Sequence, residues 1–143
     1  MKTACCPTLT PGPTGAIGPE ARQLYRDIEI YAAQNGMEPP HLLSQCRSAA
    51  LQRAMQLAWD TGRRTGLRVR PADPENSSHV PDAQGICWAF DLNNSDEWLK
   101  TIGRWVQRTH PNASWGGAWL PPDLPHFQIN DHARWISAAA YTI

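Results

Sequence analysis

No run of apolar residues approaches the ~20 positions that a membrane-spanning helix needs, so no stable membrane association is expected. An excess of one charge is missing as well. Thirteen Lys and Arg balance thirteen Asp and Glu over 143 residues, whereas a non-specific nucleic-acid binder needs a basic surplus. Cysteine is sparse. Cys5, Cys6, Cys46 and Cys87 are too few and too irregular for a disulfide scaffold, and no CxxC pair offers a structural zinc site. Met1-Lys2-Thr3-Ala4-Cys5-Cys6-Pro7 lacks the apolar core of a secretory signal. These absences leave a soluble, monomeric, single-domain protein, expected to be cytoplasmic at synthesis in a reducing compartment. Its length suits one core that buries roughly two-thirds of the unfolded surface.

What the chain does have is proline, thirteen residues, and tryptophan, seven. Residues 1–18 carry Pro7, Pro11 and Pro13 with few large apolar side chains, and are expected to form a flexible tail ahead of a domain at 19–143. Ala21, Leu24, Ile28 and Tyr31 recur at helical steps between Pro19 and Gly36. A second helix is expected over 48–61, with Leu51, Ala54, Met55 and Ala58 as its buried stripe and Gly62 as its stop. Leu67 and Val69 alternate with Arg68 and Arg70 as a short strand, and Ile86 to Leu92 reads as a buried one. Asn94 with Glu97 resembles a capping box that opens a helix with Trp98, Ile102 and Trp105 on one face. A Pro/Gly/Trp-rich loop at 110–125 leads to a strand at 126–129 and a short C-terminal helix at 133–140. Helices followed by short strands and long loops predict an α+β domain, a small antiparallel sheet flanked by helices, rather than a parallel α/β sheet.

Two segments concentrate groups able to hold a metal. One runs from Ser77-Ser78-His79 to Cys87-Trp88-Ala89-Phe90-Asp91, the other is Asp123-Leu124-Pro125-His126-Phe127. Two imidazoles and a carboxylate at strand edges make a zinc site with three protein ligands and a fourth position for water, the arrangement of catalytic rather than structural zinc. Asp123, three residues before His126, is placed to take that water's proton and pass it to a leaving amine.

Ser77-x-His79, Ala89-x-Asp91 and Asp123-x-x-His126 together resemble the signature of the D-alanyl-D-alanine carboxypeptidase-type zinc peptidases. Trp115-Gly116-Gly117-x-Trp119 followed by Asp123-x-Pro125-His126-Phe127-Gln128 is similar to the phage L-alanyl-D-glutamate endopeptidase (endolysin) branch, as is Arg47-Ser48-x-x-x-Gln52 ahead of Gly62-Arg63. The resemblance covers roughly 42–130. It implies Zn2+ bound by His79, Asp91 and His126, Asp123 as general base, and Arg47 as electrostatic stabiliser of the tetrahedral intermediate. It also implies a peptidoglycan stem peptide as substrate and action on the bacterial cell wall. The family commonly sets its aspartate nearer the first histidine than the twelve residues found here, which makes Asp82 the alternative ligand. Asp91 is preferred because Ala89-Phe90-Asp91-Leu92 matches the strand context. Arg68 is the rival to Arg47.

The remaining candidates have plainer readings. His41, His110 and His132 are expected to be structural or exposed, and Cys87 a buried, inert thiol. Trp98 and Trp105 read as core, whereas Trp115 and Trp119 could line a groove or simply pack. The expected function is a zinc metallopeptidase that cuts the stem peptide for cell-wall lysis. Its alternatives are a D,D-carboxypeptidase or dipeptidase releasing D-alanine, and a non-catalytic wall-binding or virion module.

Overall fold

Two short segments, the buried Ala89–Leu92 and the alternating His126–Ile129, build the centre of the molecule. Strands β4 (Ala89–Leu92) and β6 (His126–Ile129) pair antiparallel, with Phe90 opposite Phe127 and Asp91 opposite His126. Successive side chains on a strand point to opposite faces. Phe90 and Phe127 therefore face the core together, their rings stacked at 5.8 Å, while Asp91 and His126 share the other face. The computed structural model describes residues 16–63 and 67–130. In it β2 (Leu42–Ser44) and β5 (Ala113–Trp115) flank that pair, giving an antiparallel sheet of order β2-β4-β6-β5.

Helices α1 (Pro19–Gln34) and α3 (Asp96–Thr109) cover the core face of the sheet. Pro19 sits at the start of α1, where its missing N–H has no intrahelical acceptor to lose. Gly36 ends it at φ +66°, a left-handed conformation that costs glycine little. From α1, Ala21, Leu24 and Ile28 are buried; from α3, Leu99, Ile102 and Val106 are fully so. Each large aliphatic side chain removed from water stabilises the fold by about 1.5–3 kcal/mol. Gly103 lets the Trp115 indole lie directly on α3, where any β-carbon would overlap the ring. The protein is thus an α+β domain, as its sequence pattern predicts. No helix among the described residues is long and apolar enough to cross a membrane.

Several local expectations are corrected. Ser95, not Asn94, caps α3, its Oγ accepting from the Trp98 N–H at 3.2 Å. Asn94 instead ties the 39–41 linker, accepting from the His41 N–H and donating to the Pro39 carbonyl. The stretch Leu67 to Arg70 forms no strand. Arg68 pairs with Asp96 and Arg70 with Asp60 at the surface. The apolar run from Ile86 breaks at Trp88: β3 (Ile86–Cys87) leaves the main sheet and pairs in parallel with β1 (Ala16–Ile17). Residues 16–18 therefore belong to the fold rather than to a flexible tail. The rest of that tail, the C-terminal helix and His132 lie outside the described residues.

Helix α2 (Ala49–Asp60) forms where expected, with Ser48 Oγ accepting from the Leu51 N–H. Its orientation differs. Gln52 is the buried residue, while Leu51 and Ala54 are exposed and Met55 and Ala58 half-buried. The reason is polar: Gln52 donates to the Ala72 carbonyl at 2.8 Å, and Gln56 to the Pro71 carbonyl and Asp73. These amides turn the helix by its polar side toward the 71–73 loop.

Cys46 and Cys87 form a disulfide with their Cα atoms 5.5 Å apart, so Cys87 is not a free thiol. The bond closes a separation of 41 residues. By loop-closure entropy this stabilises the fold by about 4 kcal/mol. It also counts against a protein that works where thiols stay reduced.

Candidate metal centre

The sheet register carries the site. Ser44, Asp91 and His126 are paired across β2, β4 and β6, forming one row on the face away from the core. Directly opposed side chains in an antiparallel ladder have Cβ atoms about 4.5–5.5 Å apart, close enough to converge on one atom. His79 reaches the row from the turn after the 3-10 segment Pro74–Asn76. Two backbone bonds fix that turn: Trp88 N–H to the Ser78 carbonyl, and Arg47 N–H to the His79 carbonyl, both at 2.8 Å.

The result is a triangle of three buried ligand atoms. His79 Nε2 lies 3.2 Å from Asp91 Oδ1 and 3.1 Å from His126 Nδ1, and His126 Nδ1 lies 3.4 Å from the same carboxylate oxygen. These residues could hold a metal ion. Each imidazole is oriented by its other nitrogen. His79 Nδ1–H donates to the Gln45 carbonyl at 2.7 Å, and His126 Nε2–H donates to Gln128 Oε1 at 2.8 Å. A neutral imidazole carries one proton, so both lone pairs are left facing Asp91. Outer acceptors of this kind fix tautomer and ring orientation in metal sites.

Asp91 is held from behind. Its Oδ2 accepts from Arg47 Nη2 at 2.6 Å and from Ser44 Oγ at 2.8 Å, leaving Oδ1 for the imidazoles. Arg47 is fully engaged: Nη1 donates to Gln52 Oε1 at 3.2 Å and Nη2 also to Ser44 Oγ at 3.1 Å. Its guanidinium thus holds a ligand, a duty distinct from the oxyanion role that the resemblance implies.

The electrostatics follow from burial and proximity. Burial would raise Asp91, but the two imidazoles beside it bring its carboxyl well below the ordinary range. His79 is lowered by burial, which outweighs the attraction of Asp91. Burial would also lower His126, yet its hydrogen bond to Asp91 and the charges of Asp91 and Asp123 raise it. Asp123 is raised, chiefly by burial, with the nearby Asp91 charge adding to the effect.

A cleft of about 540 Å³ opens onto the trio, lined by Arg47, His79, Asp91, Asp123, His126 and Trp119 among others. A second groove of about 400 Å³ shares Arg47, Asp91 and Asp123 and is walled by Leu43, Leu51, Met55 and Leu67. Gly116 makes the Asp123 turn possible. It accepts the Asp123 N–H, and a methyl on it would overlap the Asp123 carbonyl oxygen and press on His126 Cβ at 3.0 Å.

The other sequence candidates fall outside the trio. Asp82 spends its carboxylate on its own loop, accepting from the Gln84 and Ile86 N–H groups and from Trp88 Nε1–H. Arg68, on Asp96, is exposed. His110 pairs with Asp27 at 2.9 Å, and His41 is exposed. Trp115 is core and donates to the Leu124 carbonyl, whereas Trp119 is 40% exposed, its ring 5.0 Å from that of His126. Three contributors were missed by sequence reasoning. Gln128 was legible, since it stands two residues after His126 on the same strand face. Ser44 and Gln45 were not, because a three-residue strand leaves no periodic signal.

No protein-family model matches the chain, and no curated protein or solved structure matches it either.

Proposed function

We propose that this protein is a zinc-dependent peptidase of the D-alanyl-D-alanine carboxypeptidase type that hydrolyses the L-alanyl-D-glutamate bond of the peptidoglycan stem peptide. The observation that carries this reading is the triangle of His79 Nε2, Asp91 Oδ1 and His126 Nδ1. Its edges of 3.1, 3.2 and 3.4 Å fit one face of a zinc tetrahedron. Ligands about 2.0–2.1 Å from a tetrahedral ion are roughly 3.3 Å apart. Two neutral nitrogens and a carboxylate suit zinc better than magnesium or calcium, which prefer all-oxygen sites.

Zinc held there supplies a Lewis acid that polarises the scissile carbonyl and brings the pKa of a bound water to about 7. Asp123 borders the same cleft without being one of the three. Its carboxylate accepts the proton of the attacking water and returns it to the departing amine. Burial suits it to this exchange, because a raised carboxyl keeps a proton long enough to deliver it. Arg47 keeps Asp91 aimed, its Nη2 donating to Oδ2. Trp119 in the cleft and the apolar wall of the adjoining groove offer the stem peptide surfaces to lie on. The disulfide suits a protein whose work is done at the cell wall, outside the reducing interior.

Digestion of purified peptidoglycan with the zinc-loaded protein, followed by mass spectrometry of the new termini, tests this. New free amino groups on D-glutamate are expected. Free D-alanine would replace the proposed bond with the D,D-carboxypeptidase one, and no released product would favour a wall-binding module.

A further inference from the structure

Residues 44 to 47 hold the trio from one side. Ser44 Oγ and Arg47 Nη2 donate to Asp91 Oδ2, the Gln45 carbonyl accepts from His79 Nδ1–H, and the Arg47 N–H donates to the His79 carbonyl. Two of the three ligands thus take their orientation from one four-residue strip. The ladder that carries the start of this strip is short and irregular. Strand β2 is three residues long, and its register with β4 shifts between Leu42 and Ser44. What does fasten the strip is Cys46, at its middle, bonded to Cys87. Cys87 is fully buried in β3, and the next residue, Trp88, secures the His79 turn through the Ser78 carbonyl.

We propose that the Cys46–Cys87 disulfide is the positioning lock of the metal centre, so that thiol–disulfide exchange with a dithiol reductant sets how tightly the trio binds a divalent cation. This rests on the trio being a zinc site, and is independent of which bond the protein hydrolyses.

The two sulfurs differ in access. Cys46 is half-buried on the wall of the groove formed by Leu43, Leu51 and Met55, whereas Cys87 is fully buried. A reductant thiolate attacks Cys46 Sγ. A bond forms between the two, the Cys46–Cys87 bond breaks, and Cys87 leaves as a thiolate that takes up a proton. The reductant's second thiol, deprotonated, then attacks its own sulfur in the mixed disulfide. The reductant becomes a cyclic disulfide, and Cys46 is released and protonated. Two electrons pass from dithiol to protein. With the disulfide open, the Gln45 carbonyl and the Arg47 guanidinium lose one of the constraints that place them beside His79 and Asp91. Losing such outer partners weakens metal binding by about 10–100-fold. The centre would be weak in a reducing compartment and tight in an oxidising one.

The test uses the full chain carrying Cys5→Ser and Cys6→Ser, so that counted thiols report this bond alone. Zinc affinity is measured by competition with a chromophoric chelator before and after reduction with a phosphine, and again after reoxidation. A Cys46→Ser/Cys87→Ser chain provides the same comparison without reductant. The expected result is a fall of about 10–100-fold in affinity on reduction, recovered on reoxidation and reproduced in the double variant, with the folded circular dichroism signal kept. Equal affinity with two thiols exposed overturns the lock and leaves the zinc centre standing. Global unfolding on reduction also overturns it, because the bond would then be a general staple. No zinc binding by the oxidised chain sinks the lock and the zinc reading together.

Discussion

Arg47 Nη2 lies 2.6 Å from Asp91 Oδ2, on the side of the carboxylate opposite the two imidazoles. Both side chains are close to buried, at 12% and 11% exposed. Removing one partner of such a pair strands the other, at a cost of about 3–5 kcal/mol. Arg47→Ala is therefore expected to lower the melting temperature of the metal-free protein and to weaken zinc binding, with a smaller stability loss once zinc is bound. Arg47→Lys should recover little, since one ammonium cannot reach Gln52, Ser44 and Asp91 as the guanidinium fork does. Calorimetry and chelator competition on these variants decide the point. An Arg47→Ala protein with wild-type zinc affinity and stability but lost turnover would return the residue to direct stabilisation of the reaction.

Asp123→Asn separates chemistry from folding. The amide cannot move a proton, so turnover is expected to fall by about 10²–10⁴ while zinc stays bound. Stability should move the other way. The Asp123 carboxyl is raised by burial, so the folded state disfavours its ionised form. Its contribution is then complete below the ordinary carboxylate value and lost as pH rises through the raised one. At neutral pH the asparagine variant should melt higher than the parent, and the difference should vanish as pH falls toward the ordinary carboxylate range. Melting curves over pH 3–8 read this out. A variant that melts lower throughout would mean that Asp123 is ionised at no cost in the fold.

Much of this was legible in the sequence, for reasons that differ by element. The apolar run ending at Leu92 and the segment 126–129 both read as strands, and their register alone brings Asp91 beside His126. Helices α1 and α3 carried strong three- and four-residue spacing with clear end signals. Helix α2 had the same spacing, but its burial was decided by Gln52 and Gln56, whose carbonyl partners are set by tertiary structure. Strands β2 and β5 are three residues each, too short for a two-residue alternation to repeat. The disulfide left no trace because 41 residues separate its cysteines and neither stands in a recognised spacing. Strand context favoured Asp91 over Asp82, and the Asp82 carboxylate indeed caps its own loop.

A proton on the metal-free trio competes with an entering cation. His126 is raised, burial notwithstanding, by its bond to Asp91 and the charges near it, so this competition is stronger there than at an ordinary histidine. Zinc affinity should therefore fall as pH is lowered, with protons released on binding. Stability of the metal-free protein follows the signs of the individual shifts. The His126 contribution is complete below the ordinary histidine value and is lost as pH rises through the raised one. His79, lowered by burial, contributes above the ordinary value and loses that as pH falls. Asp91, far below its ordinary range, adds a further loss only in acid. The two histidines together therefore favour the metal-free protein around the ordinary histidine pKa of about 6.5, while the raised Asp123 favours acid. The zinc-loaded protein should keep its stability to higher pH. Calorimetry in buffers of different ionisation enthalpy counts the protons, and zinc affinity that does not change as pH is lowered would contradict the arrangement.

Gln128 decides which nitrogen His126 presents. Its Oε1 takes the Nε2–H at 2.8 Å and also accepts from Ser78 Oγ at 3.2 Å, while its amide donates to Asn130 Oδ1 at 3.3 Å. Asn130 in turn is bonded to Ser114. This chain anchors the acceptor from β5 to the His79 turn, so the imidazole meets a fixed oxygen. Gln128→Met fills similar space without an acceptor. It should leave a buried N–H unsatisfied, costing about 1–3 kcal/mol, and lower zinc affinity by about 10–100-fold. Gln128→Glu keeps an acceptor and adds negative charge behind the ring, which makes the imidazole a stronger donor to a cation. Its zinc affinity should equal or exceed that of the parent. Chelator competition on the pair separates orientation from packing: if methionine and glutamine bind zinc alike, the sheet alone orients His126 and the side chain at 128 has no part in it.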